Sequence, residues 1–359
     1  MNILNTIISF NTGGAEKLLC DLLNNWNRKE DNVFLCIINN DYSKELLSTI
    51  TCQSRIVCLN REPDKMNFKF LIQYLNLIKR LKINKIHCHD KESVFVSSVV
   101  KIFFSDIDLY HTIHDIPIYR ELSIFYLLLD KLFVKNIIAI SNSVKKEILV
   151  RGVKESKVKI IYNGIDFSKF KQHSEQKNEK INIGCVARIK PLKKGQDILI
   201  QAINLLVKVY PNIKCFFAGT YESKDQNEMN NLVTMVENLN LENNVEFLGN
   251  INDIPMFLNN MDIFVLPSRF EGFGISIIEA MAAKVRVIAS NIDGPKEIIV
   301  NNNFGYLFKS EDYNDLYLNL VKVITEDSRK NKIKETYNYA FQNFSIDKMI
   351  SNLYILYNS

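Results

Sequence analysis

Residues 262–283 read Asp-Ile-Phe-Val-Leu-Pro-Ser-Arg-Phe-Glu-Gly-Phe-Gly-Ile-Ser-Ile-Ile-Glu-Ala-Met-Ala-Ala. Two carboxylates, Glu271 and Glu279, flank a turn built on Gly272, Phe273 and Gly274. Glycines at a turn let bare backbone come close to a ligand. If a helix starts at Ile275, its first N–H groups and the positive end of its dipole make an anion site there. Carboxylates beside an anion repel it unless they face something else. An ionised carboxylate only accepts hydrogen bonds, and hydroxyls donate them. The chemistry read here is recognition of a phosphorylated, hydroxyl-rich ligand, its sugar and ribose hydroxyls held by the acids.

Other residues could serve the same ligand. The segment Ala187-Arg188-Ile189-Lys190-Pro191-Leu192-Lys193-Lys194-Gly195 follows an apolar run and reads as a cationic loop. Arg188 can grip phosphate with a planar fork of donors, and Lys194 adds a point charge. Asp108 to Asp115 reads as a strand ending in His114-Asp115. Carboxyl ends of strands in open α/β sheets are where ligands bind. A histidine there can donate to a substrate hydroxyl or stabilise developing charge. Near the start, Gly13-Gly14 separates an apolar run from a helical pattern and could hold a phosphate. Gly-x-Gly-x-x-Gly is absent, which counts against a nicotinamide enzyme. In His87-Cys88-His89-Asp90, strand alternation puts His87 and His89 on one face. Four consecutive residues rarely close a metal site and no matching cluster occurs elsewhere, so a strand end is read there and no metal.

The run Glu-Gly-Phe-Gly, four residues, then Glu-Ala-Met resembles the Glu-x7-Glu signature of retaining glycosyltransferases of family 4, which have the GT-B fold. That resemblance implies an α/β chain of two Rossmann-like domains facing each other across a cleft, with a final helix crossing back to the first. It implies that Arg188 and Lys194 bind a diphosphate (Lys193 could replace Lys194 by register) and that Gly14 contacts the donor. It places Glu279 on the ribose diol, Glu271 on a donor-sugar hydroxyl, and His114 rather than His111 near the reaction centre. The implied reaction moves a hexose or N-acetylhexosamine from a nucleotide sugar to a hydroxyl of a glycan or lipid-linked acceptor in cell-surface polysaccharide assembly. UDP is expected from family frequency. Front-face attack with retention and metal independence are implied, with no cofactor besides the donor substrate. Alternatives are a hexose epimerase of the same fold and a noncatalytic partner subunit; a dehydrogenase is disfavoured.

These residues must be positioned by 359 residues, too many for one core and suited to two domains. The expected divisions are an acceptor-binding domain at 1–165, a linker at 166–180, a nucleotide-sugar domain at 181–342 and a returning helix at 343–359. Residues 171–180 are polar without apolar period, as a linker is. Net charge of +5 is too weak and scattered to argue for nucleic acid. Seven cysteines without a Cys-x-x-Cys pair suggest free thiols in a cytoplasmic protein. The apolar run Asn2 to Phe10 lacks a basic flank and a cleavage site and reads as a first strand. No stretch is long enough to span a membrane. An amphipathic helix over 67–82, with Lys69, Lys79, Arg80 and Lys82 on its polar side, could rest on anionic lipid, or be a solvated face over a core. The acceptor would be read by residues 40–135. One departure from the family stands at Lys284 and Arg286, where glycine and proline are usual. Glycine eases a left-handed helix end, so local rearrangement is expected.

Overall fold

The computed structural model describes residues 1–11, 13–63, 69–170, 180–326 and 329–359, the side chains of 329 and 330 excepted. Two compact units divide the described chain: Met1–Ile165 with Ile346–Ser359, and Asp166–Ser345.

The first unit holds strands β1 (Asn2–Ile7), β2 (Asn32–Asn39), β3 (Ile56–Arg61), β4 (Lys85–Cys88), β5 (Asp108–Ile113), β6 (Val134–Ala139) and β7 (Val158–Ile160). They pair in the order β3-β2-β1-β4-β5-β6-β7, all parallel. Helices α1 (Gly14–Asn25), α2 (Lys44–Ser48), α3 (Lys69–Arg80), α4 (Lys91–Phe103), α5 (Ile116–Arg120), α6 (Ile124–Phe133) and α7 (Asn142–Val150) make the crossovers. Parallel strands are covered on both faces, which is why Leu35 to Ile38 is an unbroken buried apolar run. The helix α16 (Ile346–Tyr357) completes this core with Met349, Ile350, Leu353 and Leu356. Its Tyr357 stacks near Trp26, and its hydroxyl lies 2.7 Å from His87 Nδ1.

The second unit holds β8 (Ile181–Val186), β9 (Ile213–Ala218), β10 (Val245–Gly249), β11 (Ile263–Leu266), β12 (Arg286–Ser290) and β13 (Tyr306–Phe308), in the order β10-β9-β8-β11-β12-β13 and again parallel. Its helices are α8 (Pro191–Lys194), α9 (Gln196–Leu206), α10 (Gln226–Asn238), α11 (Ile254–Asn259), α12 (Ile275–Ala282), α13 (Asp293–Ile299), α14 (Tyr313–Thr325) and α15 (Arg329–Phe344).

Several local expectations change. The cationic segment is not all loop: Pro191 fixes the first position of the short helix α8, which ends at Gly195 in the left-handed region. Ser141 caps α7, accepting from the Val144 N–H. The expected linker begins as packed structure, because Phe167 is buried with its ring edge-on to Tyr337 and Phe341. Residues 171–179 lie outside the described chain, as does Phe68 of the expected helix over 67–82. The apolar stripe of α3, Phe70, Tyr74, Leu77 and Ile78, is buried, so this helix covers a core. No rearrangement follows α12. Lys284 takes the left-handed conformation itself (φ +60°). Val285 N–H donates to Ala280 O and Lys284 N–H to Met281 O, the bond pattern a glycine would make. All seven cysteines are free.

Candidate functional site

Each sheet reverses its strand order once, between β1 and β4 in the first unit and between β8 and β11 in the second. Crevices outside the carboxyl ends of strands at such points are where open α/β sheets bind ligands. The sequence-predicted residues fall there: Arg188 and Lys194 follow β8, and Glu271 to Gly274 follow β11.

In the second unit, Lys194 Nζ lies 2.6 Å from Glu271 Oε2, and the Ser268 hydroxyl is 3.4 Å from the same oxygen. Both charged side chains are less than one-fifth exposed, at 18% and 17%. Backbone bonds hold the two segments together: Arg269 and Phe270 N–H groups donate to Lys193 O at 2.9 and 3.2 Å. Gly195 permits the approach, since a Cβ there would come within 2.0 Å of Pro267 O. Gly294 does the same on the other side, where a Cβ would stand 2.8 Å from Glu271 O and 2.7 Å from Phe273 O. The helix α12 then starts from Gly274 (φ +108°) with no side-chain cap. Ile277 N–H donates to Gly274 O at 3.0 Å, and the N–H groups of Ile275 and Ser276 are left for a ligand or water. The Phe273 ring is buried, edge-on to Phe344, so only its backbone can face a ligand. Glu279 is half-buried on α12.

The Arg188 side chain is 56% exposed, with Nη1 3.6 Å from Glu222 Oε1. Lys190 turns the same way, 3.2 Å from Asp225 and 3.8 Å from Glu222. The cations of one segment therefore face two sets of acids.

Arg269 was not singled out from the sequence. Its guanidinium makes a fork to Asp197, both oxygens at 2.8 Å, while its Nε contacts both oxygens of Glu311 at 2.8 and 2.9 Å. It also donates to Pro191 O, tying the loop after β11 to the start of α8 and to α9. A charged residue directly behind a buried strand was the available signal; its acidic partners lie far away in sequence.

In the first unit, His114 and His89 stand at the ends of β5 and β4. His89 Nε2 is 3.1 Å from Asn5 Oδ1, and His89 Nδ1 is 3.2 Å from His114 Nε2. Asn5 Nδ2 donates to Phe34 O, which leaves its Oδ1 as the acceptor facing His89. His89 therefore carries its proton on Nε2 and accepts at Nδ1, so His114 donates from Nε2. The remaining nitrogen of a neutral His114, Nδ1, is an acceptor in this arrangement. Loss of water around the rings, then neighbouring histidines, pushes His114 down to about 4 and His89 well below its ordinary value. His87 is pushed to about 3, chiefly by burial. It bonds Thr112 at 2.6 Å as well as Tyr357. Both nitrogens of His87 and of His89 are thus occupied by protein groups. Among the described residues no group of three or more His, Cys, Asp or Glu side chains is placed to hold a metal ion. Gly14 opens α1, whose cap position, Gly13, makes no side-chain bond. Glu16 lies over Gly13, its carboxylate 2.3 Å from where a Cβ would stand.

With this geometry described, the chain can be set beside known proteins. The family model "Glycosyl transferases group 1" matches residues 166–339, and "Glycosyltransferase Family 4" matches residues 12–169. The capsular polysaccharide biosynthesis glycosyltransferase CapM of Staphylococcus aureus is 30% identical over 62% of this chain and 61% of its own length, less than two thirds of that relative. The Escherichia coli UDP-Gal:alpha-D-GlcNAc-diphosphoundecaprenol alpha-1,3-galactosyltransferase is 26% identical over 81% of this chain and 79% of its own. The crystal structure of Anabaena Alr3699/HepE in complex with UDP and glucose superposes with a TM-score of 0.85 at 22% identity, covering 99% of both chains. At that identity the likeness speaks for the fold.

Proposed function

Because the chain belongs to glycosyltransferase family 4, we propose that it transfers a hexose or N-acetylhexosamine from a UDP-sugar to a hydroxyl of a glycan or lipid-linked acceptor in cell-surface polysaccharide assembly. The observation that carries this reading is the Lys194–Glu271 contact at the strand-order reversal, beside the uncapped start of α12. Breaking the sugar C1–O bond leaves charge on a departing diphosphate. Lys194, the amides of Gly272 to Gly274 and Arg188 are assigned to that charge, with Gly14 contributing its backbone. Fixed donors of this kind are each worth about 10²–10³ in rate. On this reading donor binding draws Lys194 from Glu271 toward phosphate, and Glu271 accepts from a sugar hydroxyl. Glu279 holds the ribose diol. His114, neutral near pH 7, accepts from a hydroxyl near the reaction centre.

Charge neutralisation by Lys194 and Arg188 makes a bound metal unnecessary in this scheme. Configuration is retained by front-face attack, the leaving phosphate taking the acceptor proton. CapM and the galactosyltransferase are named for capsule assembly and for a diphosphoundecaprenol acceptor. Their names support a polysaccharide or lipid-linked acceptor here. No helix among the described residues is long and apolar enough to cross a membrane, so contact would be peripheral.

A panel of sugar nucleotides, read first by thermal shift and then by acceptor-dependent UDP release, tests the reading. Isomerised sugar without acceptor would point to an epimerase. Nucleotide binding with no transfer to any lipid-linked acceptor would point to a noncatalytic subunit.

A further inference from the structure

The helix α6 is built the wrong way out for a soluble crossover. Its charged Asp130 is buried against His111 Nδ1 at 2.8 Å, while Ile124, Phe125, Leu128 and Leu132 are 74%, 53%, 48% and 71% exposed. Residues spaced this way share one helical face. The patch extends onto the packed neighbour α4, where Phe95 meets Phe125 at 5.8 Å between ring centroids and Ile102 and Phe103 are 69% and 66% exposed. A contiguous apolar surface of this kind marks an interaction site rather than ordinary surface scatter. Two lysines border it, each also in an ion pair: Lys91 lies 5.5 Å over the Tyr126 ring and 3.7 Å from Glu92, and Lys135, just past the end of α6, is 38% exposed and 3.2 Å from Asp108. The protein's positive charge also belongs to this unit. Residues 1–165 hold 23 Lys and Arg against 17 Asp and Glu, whereas residues 166–345 hold 21 against 22.

We infer that the α4–α6 face seats the enzyme on an anionic lipid bilayer, its apolar side chains entering the headgroup boundary and its basic rim meeting lipid phosphates. The occupant is a membrane and not a second copy, because the unit bearing the patch is net positive and would repel itself. The basic side of α3 is not the anchor, since its apolar stripe is spent on the core. The inference rests on the lipid-linked acceptor reading for its purpose, but its test does not.

Co-sedimentation of the full chain with vesicles of phosphatidylcholine alone, and with about one third phosphatidylglycerol, reads the contact directly. Binding is expected to the anionic vesicles and to weaken with salt. The double variant F125E/L128E is expected to lose at least about tenfold in binding, because each side chain no longer leaves water. Thermal melting and UDP binding by calorimetry should be unchanged in the variant, which separates lost docking from lost fold. Wild-type protein remaining in the supernatant with both vesicle types at low salt overturns the inference. So does a wild-type dimer in sedimentation equilibrium that the variant abolishes. Absence of transfer in wild type, with vesicle binding intact, would sink the functional reading and leave the docking face standing.

Discussion

His89 Nδ1 and His114 Nε2 lie 3.2 Å apart, and the Asn5 carbonyl at the far nitrogen of His89 fixes which of the two donates. A proton added to His89 has no acceptor to meet, because it would face the His114 N–H. The pair therefore remains neutral, and His87 beside it is held neutral by burial.

Stability should fall on the acid side for this reason. The folded values lie below the ordinary 6.5, so the unfolded chain takes up protons that the folded chain refuses. This contribution is fully present above about pH 6.5 and is lost as pH drops toward 3, at up to ~1.4 kcal/mol per unit for each histidine. Urea unfolding at pH 7 and pH 5 should differ by up to about 6 kcal/mol, about 2 for each of the three histidines, and His87→Gln should make the dependence shallower. An unchanged slope in that variant would remove His87 from the account.

Lys194→Ala and Glu271→Ala should each lower turnover by about 10²–10³ while the protein remains folded. Both side chains are more than four-fifths buried, so removing one leaves the other's charge uncompensated and some stability is lost as well. Steady-state kinetics beside calorimetry checks this. Near-normal turnover in either variant would withdraw the residue from the site.

Arg269 acts at one remove, by fixing where Lys194 sits. Arg269→Lys retains the charge and loses the fork to Asp197 and one of the bonds to Glu311. We expect a loss of about 1–3 kcal/mol in stability and a raised KM for the nucleotide sugar, with kcat less affected. A variant of normal stability and normal KM would show the fork to be ornamental.

Lys284 separates two small terms. Its left-handed backbone costs roughly 1–2 kcal/mol against glycine, and its ammonium, 5.0 Å over the Tyr337 ring, returns some of that. Lys284→Gly should accordingly be about 1 kcal/mol more stable than Lys284→Ala, which keeps the strain and loses the ring contact. Denaturant midpoints of the two variants decide it.

The buried strands were readable because parallel strands need apolar residues on both faces: the run Asn2 to Phe10 holds β1, and Asp108 to Asp115 holds β5. Alternation correctly set His87 and His89 on one face, their rings 4.3 Å apart. Their hydrogen-bond partners were not readable, since Tyr357 and Asn5 are brought near only by the finished sheet. The same holds for Arg269, whose acids sit on α9 and just before α14. At Lys284 the local rule forecast a changed backbone, and the tertiary frame kept the backbone and strained the residue instead. At α8 the proline was read as a loop residue when it served as a helix start.

The last helix, α16, gives its apolar face to the core of the first unit, although residues 166–345 lie between them in the chain. A ribosome delivers Asp166–Ser345 as one uninterrupted stretch, able to close its own core during synthesis. The unit begun at Met1 must wait with Trp26 and Leu353's seat open until residue 357 has emerged. The part translated first is completed last, and a nonsense codon near position 345 would spare the second unit while leaving the first without its final layer.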